Sequence, residues 1–528
     1  MNIEPSNWKH QNHDLFLLLG LTLVFSWRFF LSAYVNLIPD ECSYWAWSRR
    51  LDWSYFDNSG MVAYLIRIST ELFGYSTPFS VRFPFLLLSF LSSAFIYSCS
   101  LNLFGDRRIA LVTVFVFNIT PVSILGASAA IHDNALIFFT ILTIWFLSKF
   151  LSDRRSVWLY LSGVAIGLSM LSKYTGAINL LCVLIFLIWL KDMRPILLTR
   201  SPWLAAFLAI SLTIPIIYWN WRHDWASLNH ILFIGSGAVA LSRRIEDGIG
   251  FNIAQFFLIS PLIYIFVVLA TMTALWNNLR RPLANQVLCI CFGIPLFLFA
   301  VQSFRGHVEA NWSMPGYIGP FMLAVWSFYG SNEGALNWVS KPWSQKFIKY
   351  SLVWSLLIVA LVVLHAWIGI IPASWERSIS KADRIIWETR GWDKLGQHVG
   401  EFVGKGETLA ADSYQLCALL EFNTPGQPEV RYLAPWERPT QFDIWHRSFD
   451  DLKGRDIIFV SPKPLLPSSD AFTTIYESFS SVEQLPVYHV IYHGVSIREI
   501  FIYRCRAFNP EHPRKLGPRS LFYRDYHL

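Results

Sequence analysis

The sequence predicts a polytopic α-helical membrane protein, with about eleven transmembrane helices and a small soluble α/β C-terminal domain. Three observations carry this. Of 528 residues, 54% are hydrophobic and only 15% charged, against about 25% charged in a soluble globular chain. The deficit is local: from about residue 14 to 371, apolar runs of about 18 residues or more recur between short polar links. Beyond Ile371 the chain turns ordinary, with mixed charge, scattered Gly and Pro, and short alternating segments. Residues 1–371 therefore read as a membrane domain and 372–528 as a water-solvated one.

A helix needs about 20 apolar residues to cross the hydrocarbon core. Spans are expected near 15–35, 81–103, 108–128, 133–151, 156–172, 174–191, 202–220, 252–276, 285–304, 313–330 and 350–371. The first run is too long for a cleavable signal peptide and no small-residue cleavage site follows it, so it reads as a membrane helix. Between the first two spans, Leu51 to Phe73 is amphipathic and interrupted at Asn58-Ser59-Gly60. That pattern suits interfacial helices, within 40–78, roofing a cavity. In the last 157 residues, 409–412, 456–460, 487–492 and 500–503 read as short strands. This domain covers the site, contacts the acceptor, or serves stability alone.

Alternate links are basic: Asp106-Arg107-Arg108, Lys149 to Arg155, Lys191 to Arg200, Arg280-Arg281, then Lys341, Lys346 and Lys349. The positive-inside rule makes these cytoplasmic. The opposite links, richer in acids, His and aromatics, then face outward with the C-terminal domain. The net charge of +7 does not point to nucleic acid, because the cations are spread over links rather than gathered on one face. Most of the seven cysteines lie in apolar runs and read as packing; Cys417 and Cys505 are paired or free, which sequence does not decide.

The outer links hold nearly all the unusual polar residues, and ionisable groups at the hydrocarbon edge usually mark function. Asp40 and Glu41 follow Pro39 at the end of the first span, with Tyr44 close behind and Asp57 in the next loop. They read as interfacial acids or as a general base at a cavity mouth. His132-Asp133 opens the fourth span, where Asp133 also suits a helix N-terminus. Lys173, followed by Tyr174, ends the fifth span; it snorkels or holds a phosphate. Arg222 follows the seventh span, and Arg305, His307, Glu309 and Asn311 follow the ninth. Carboxylates beside cations suit an enzyme whose substrate carries a lipid-anchored phosphate. Transport is the competing use, but no matched pair of broken helices is seen in two halves.

This order of motifs resembles the GT-C glycosyltransferases related to dolichyl-phosphate-mannose protein mannosyltransferase. It runs Asp40-Glu41, Tyr55-Phe56-Asp57, His132-Asp133, Ser172-Lys173-Tyr174, then Val308-Glu309-Ala310-Asn311-Trp312. It is most similar to the bacterial branch that includes the lipid A aminoarabinose transferase. The resemblance covers the membrane part, and 391–415 is similar to the tail of many bacterial members. It implies a polyprenyl-phosphate-linked sugar donor and an inverting transfer on the outer face of the bacterial inner membrane. The acceptor would be lipid A or lipopolysaccharide, another glycan, or a protein. By the same resemblance Asp40 is the catalytic acid position, with Glu41 its companion and Asp133 a second cavity acid. Tyr44 lies near the donor, with Lys173 and Arg305 as phosphate partners. Tyr174 and Arg222 are grouped with these, and Asp57, His132, His307, Glu309 and Asn311 with the cavity. Many bacterial members read Tyr-Phe-Asp-His-Pro-Pro where this chain has 55–60; the His and both prolines are absent, so no metal or acceptor role is carried to this loop. A divalent metal ion is the one cofactor the resemblance leaves open, and no ligand for it is assigned.

Overall fold

The computed structural model describes residues 5–233, 241–306, 308–329, 342–372, 375, 383–433, 439–446, 448–467 and 469–509. His307 and Lys341 lie outside the described residues. All eleven expected apolar segments contain helix, but several are broken. Five helices are singly long and apolar enough to cross a membrane: Asp14–Tyr34, Pro78–Phe104, His132–Asp153, Pro261–Arg280 and Ala284–Gln302. Two bent pairs, Tyr174–Trp189 with Lys191–Leu198 and Arg200–Ser211 with Ile214–Arg222, raise the number to seven among the described residues. Ser156–Ser172 and Val353–Ile368 are shorter apolar helices.

Proline explains the remaining breaks. Segment 108–128 divides into Arg107–Asn118 and Pro121–Gly126, because Pro121 restarts the helix at its first position while Thr120 caps it by accepting from the Ser123 N–H. Segment 313–330 opens as a 3-10 turn, Ala310–Tyr317, containing Pro315, before Ile318–Tyr329. Segment 252–276 breaks at Ser260, whose φ of 83° precedes Pro261.

Between the first two spans lie the expected interfacial helices, Pro39–Arg49 and Met61–Phe73. Pro39 starts the first with a preset φ and no N–H to leave unpaired, and Asp40 and Glu41 occupy its dipole-favoured first turn. The turn between the helices is closed by a bridge between Ser54 and Ser59.

The C-terminal domain holds a six-stranded sheet: β1 Thr408–Ala411, β2 Val430–Tyr432, β3 Ile457–Ser461, β4 Phe479–Gln484, β5 Tyr488–Tyr492 and β6 Val495–Phe508. The order is β2-β1-β3-β6-β4, with β5 also pairing β6. β1 is parallel to β2 and β3, and β6 runs antiparallel to its neighbours. β3 is buried at every position, as its unbroken apolar run requires. All four expected strands are present; β2 and β4 were not anticipated, being short or largely exposed. Cys417 and Cys505 are both buried and not joined in a disulfide, and they belong to different apolar clusters.

The domain is fused to the interfacial helices. One apolar cluster contains Cys42, Trp45, Ala46, Val62 and Ile66 from those helices, and Leu416, Cys417, Leu420 and Phe422 from helix Tyr414–Asn423. Beside it the fully buried Glu421 carboxylate faces the Arg50 guanidinium in a fork, at 3.0 and 3.3 Å, and accepts from the Val430 N–H at 3.1 Å. Arg50 also reaches Glu429 at 3.5 Å. His446 completes the network: its Nδ1 accepts from the Tyr432 N–H at 3.3 Å and its Nε2 faces Glu429 at 3.2 Å. That arrangement requires the neutral ring with its proton on Nε2.

Two predictions follow from this junction. Arg50→Ala strands a buried carboxylate and should lower stability by about 3 kcal/mol, read as loss of thermal midpoint and earlier proteolysis of the C-terminal domain. Burial holds the His446 pKa below its ordinary value, while the His446 hydrogen bond brings Glu429 down to about 2. The unfolded chain therefore binds more protons than the folded one in both windows. Stability should fall as pH drops below about 6.5 through His446. It should fall again between the usual glutamate range and about 2 through Glu429. His446→Asn should flatten the first slope in thermal melts from pH 7.5 to 5.5; an unchanged slope would remove His446 as its source.

Candidate active site

The site is built where the first span ends. Arg82, buried near the start of helix Pro78–Phe104, donates to the carbonyls of Leu31, Val35 and Asn36 at 2.7–2.9 Å. Val35 and Asn36 lie just past the end of the first helix, and the Leu31 carbonyl also accepts from the Val35 N–H at 3.2 Å. The same guanidinium grips Glu41, with Nε to Oε1 at 2.7 Å. Glu41 also accepts from the N–H groups of Ile38 at 3.0 Å and Ala130 at 2.8 Å. Glu41 is wholly buried with both oxygens engaged. Read from sequence as Asp40's catalytic companion, it is instead placed as an anchor, because a buried carboxylate must take its full set of donors. It ties the first span, the first interfacial helix and the turn before the fourth span, and leaves Asp40, one residue earlier, exposed.

A second cluster gathers at Asp133. Asp133, buried in the first turn of helix His132–Asp153, accepts from Lys173 Nζ at 2.8 Å and Asn311 Nδ2 at 3.1 Å. Lys173 is itself buried, its Nζ 5.2 Å from the centre of the Trp312 ring. Its charge is matched by Asp133 in this structure. His132 is buried too; its Nδ1 donates to the Ser172 carbonyl at 3.0 Å, and its Nε2 has no partner among the described residues. The ring packs edge-on against Tyr44 at 4.4 Å between centroids. Tyr174 joins its hydroxyl to Ser227 at 2.8 Å and Ser54 at 3.4 Å, so it braces the turn that carries Asp57.

Tyr44 is where these elements converge. Burial pushes its phenol pKa well up, and the negative charges of Asp40, Asp57 and Asp133, with the Tyr414 hydroxyl, push it further. Three acids from three different outer segments thus act on one hydroxyl, which stays protonated as a hydrogen-bond donor. Asp57 is partly exposed, 3.6 Å from His230. Arg222, Arg305 and Glu309 are exposed.

Sequence reading missed the contributors from the C-terminal domain. Gln441 Oε1 accepts from the buried Phe56 N–H at 2.8 Å, beside Asp57. Trp445 packs on the cluster of Trp47, Tyr55 and Ala63, and Tyr414 lies within electrostatic reach of Tyr44. No local signal marks them. Arg82 was findable, as a lone arginine opening an apolar run.

Two cavities flank the turn before the fourth span. One of about 60 Å³ is walled by Thr120, Ser123, Asp133, Asn311 and Tyr317, among others. The second, about 250 Å³, reaches Ile38, Glu41 and Arg82. Both are lined by Gly126 and Ile131. Among the described residues no group of three or more His, Cys, Asp or Glu is placed to hold a metal ion.

Comparison with known proteins bears on this arrangement. Residues 57–219 match the family described as dolichyl-phosphate-mannose-protein mannosyltransferase. The chain is similar to a lipid A galacturonosyltransferase, RgtD, of Rhizobium johnstonii, with 28% identity over 328 residues. The match covers 60% of this chain and 65% of the relative, so the chain spans about two thirds of the curated protein it resembles. Among solved structures it is similar to ArnT of Cupriavidus metallidurans in the apo state, with a TM-score of 0.61 and 14% identity, over 92% of this chain and 97% of that one. The same protein bound to undecaprenyl phosphate aligns with a TM-score of 0.60 and 15% identity, over 92% and 98%. The chain has the GT-C fold of these proteins, and the resemblance read from its motif order is matched.

The Asp133–Lys173 pair gives a test of its own. Asp133→Asn and Lys173→Met should each destabilise the protein in detergent by about 3 kcal/mol, since each strands a buried charge. The double variant should lose less than the sum. Additive losses in thermal unfolding would show that the two do not act as a pair.

Proposed function

We propose that this chain is a membrane glycosyltransferase that moves a sugar from a polyprenyl-phosphate donor to an extracytoplasmic acceptor. The observation that carries the reading is that outer segments far apart in the chain meet at one mouth, Asp133 with Lys173 and Asn311 and His132 against Tyr44, with Asp40 exposed on the same helix as Tyr44. The fold of undecaprenyl-phosphate-bound ArnT supports the donor class. The relation to a lipid A galacturonosyltransferase supports a lipid A-type glycolipid as acceptor and a hexosyl, rather than pentosyl, unit. The basic links and the acidic mouth support placement in the bacterial inner membrane, with site and C-terminal domain on the periplasmic side. The transporter or flippase reading gains nothing from the geometry.

The chemistry follows from what is exposed and what is paired. The acceptor hydroxyl attacks the anomeric carbon while Asp40 takes its proton. The bond from that carbon to the phosphate oxygen breaks, polyprenyl phosphate leaves, and one displacement inverts the centre. Tyr44, held protonated, offers its hydroxyl as a hydrogen-bond donor to the substrate. Lys173 and Asn311 hold Asp133 in one orientation rather than gripping phosphate. His132 packs Tyr44 in place, and the exposed Arg222 and Arg305 are left to draw anionic groups toward the mouth.

Asp40→Asn tests the base. In purified protein given undecaprenyl-phosphate galacturonic acid and lipid A, transfer should fall by about 10²–10⁴-fold with the thermal midpoint unchanged. Near-normal turnover would remove Asp40 from that role.

A further inference from the structure

A third cavity, of about 610 Å³, opens where the first span, the last apolar helix and the C-terminal domain meet. Tyr34 and Trp367 line it, and both are exposed. Phe30 stacks on both rings, at 5.1 Å from Tyr34 and 4.6 Å from Trp367 between centroids. It so joins the end of the first span to the end of Val353–Ile368. Amphipathic rings at the ends of spans sit at the level of the lipid headgroups. The facing wall is the β5–β6 hairpin, whose tip has a fixed shape. His493 and Gly494 have φ of 48° and 81°, the two left-handed residues that a tight hairpin turn requires.

The charge of this cleft comes from the start of the C-terminal domain. Arg390 donates from Nη2 to the carbonyls of Ala366 and Trp367 at 2.7 and 3.0 Å, and the second of these bonds is open to solvent. Both carbonyls belong to the last turn of the last apolar helix, where no N–H lies ahead to take them. The guanidinium is therefore held at the rim rather than swinging free. Lys394, four residues on, is exposed and lines the same space. Asp393 is the one lining carboxylate. Its Oδ1 accepts from Asn36 Nδ2 at 2.9 Å, which ties the cleft to the end of the first span. Two cations against one carboxylate, on the side of the membrane where Lys and Arg are scarcer, mark a place for an anion.

We propose that this cleft is the headgroup site of the acceptor, taking the phosphate of an anionic glycolipid that enters between the first span and the last apolar helix. The inference rests on the acceptor class proposed above and adds where that lipid docks. Arg390 and Lys394 hold the phosphate, and the Tyr34–Trp367 side leaves the acyl chains in the bilayer. The cleft joins the 250 Å³ cavity through Val35 and Thr389, which line both. The one cation lining that inner cavity, Arg82, is already held by Glu41, so the phosphate stays in the outer cleft. Asn36, which lines the cleft, precedes Asp40 by four residues, a stretch that spans at most about 14 Å. A glycolipid seated by its phosphate therefore carries its sugar hydroxyls close to the proposed base.

The test measures binding of lipid A and of dephosphorylated lipid A to full-length protein in detergent, for wild type, Lys394→Glu and Arg390→Gln. The wild type should prefer the phosphorylated lipid. Both variants should weaken that preference, Lys394→Glu by at least about tenfold, while binding the dephosphorylated lipid as before. Undiminished preference in Lys394→Glu overturns the assignment. Should Arg390→Gln fail to fold, having released the Ala366 and Trp367 carbonyls, the exposed Lys394 decides alone. Phosphatidylglycerol separates the sources. Lipid A binding that survives a molar excess of it supports an acceptor site, and equal competition makes the cleft a general seat for anionic lipid and overturns the assignment. Turnover with undecaprenyl-phosphate galacturonic acid separates this inference from the function it rests on. A raised KM for lipid A in Lys394→Glu supports the cleft, and a wild-type KM overturns it. A wild type that binds lipid A and transfers nothing to it sinks the acceptor reading itself.

Discussion

The Arg82–Glu41 pair is the contact on which the outer mouth depends. A membrane helix that ends at the interface leaves carbonyls that lipid cannot satisfy. Arg82 donates to three carbonyls around that end and holds Glu41 with its remaining edge. Glu41 passes the constraint on, through the Ala130 N–H, to the turn that begins the span carrying Asp133. One buried ion pair thus sets the spacing between the two acidic elements of the site. It also explains why adjacent carboxylates differ in fate: a helix turns about 100° per residue, so if Glu41 faces the core, Asp40 does not.

The same logic runs through the rest of the mouth. Buried charges are matched, Asp133 by Lys173 and Asn311 and Glu421 by Arg50, because an unmatched charge away from water is costly. Matching removes a residue from the list of groups free to act on a ligand. At the surface of the mouth stand the exposed Asp40 and the exposed arginines Arg222 and Arg305.

The C-terminal domain belongs to the site rather than hanging from it. Its helix Tyr414–Asn423 shares an apolar core with the first interfacial helix, and Gln441 fixes the backbone beside Asp57. The roof of the mouth is therefore made of chain that is almost 400 residues from the acids it covers, as the Phe56–Gln441 separation of 385 shows. Domain docking and site geometry are one mechanical unit, and the Glu421–Arg50 fork is its fastening.

The sequence by itself determined the two regimes of the chain, the apolar segments, the interfacial helices, four strands, and the loops on which the acids lie. These follow from local composition and periodicity, which solvent reads residue by residue. It also singled out Asp40, Tyr44, Asp57 and Asp133 as candidates, since polar groups at a membrane edge stand out against their surroundings. Only the tertiary structure decided what each of them is free to do. Glu41 and Lys173 look like catalytic machinery in sequence, yet each is taken up by a partner about 40 residues away in the chain, Arg82 and Asp133. Pairing is a property of distance in space, and no pattern along the chain reports which charge a fold will set against which.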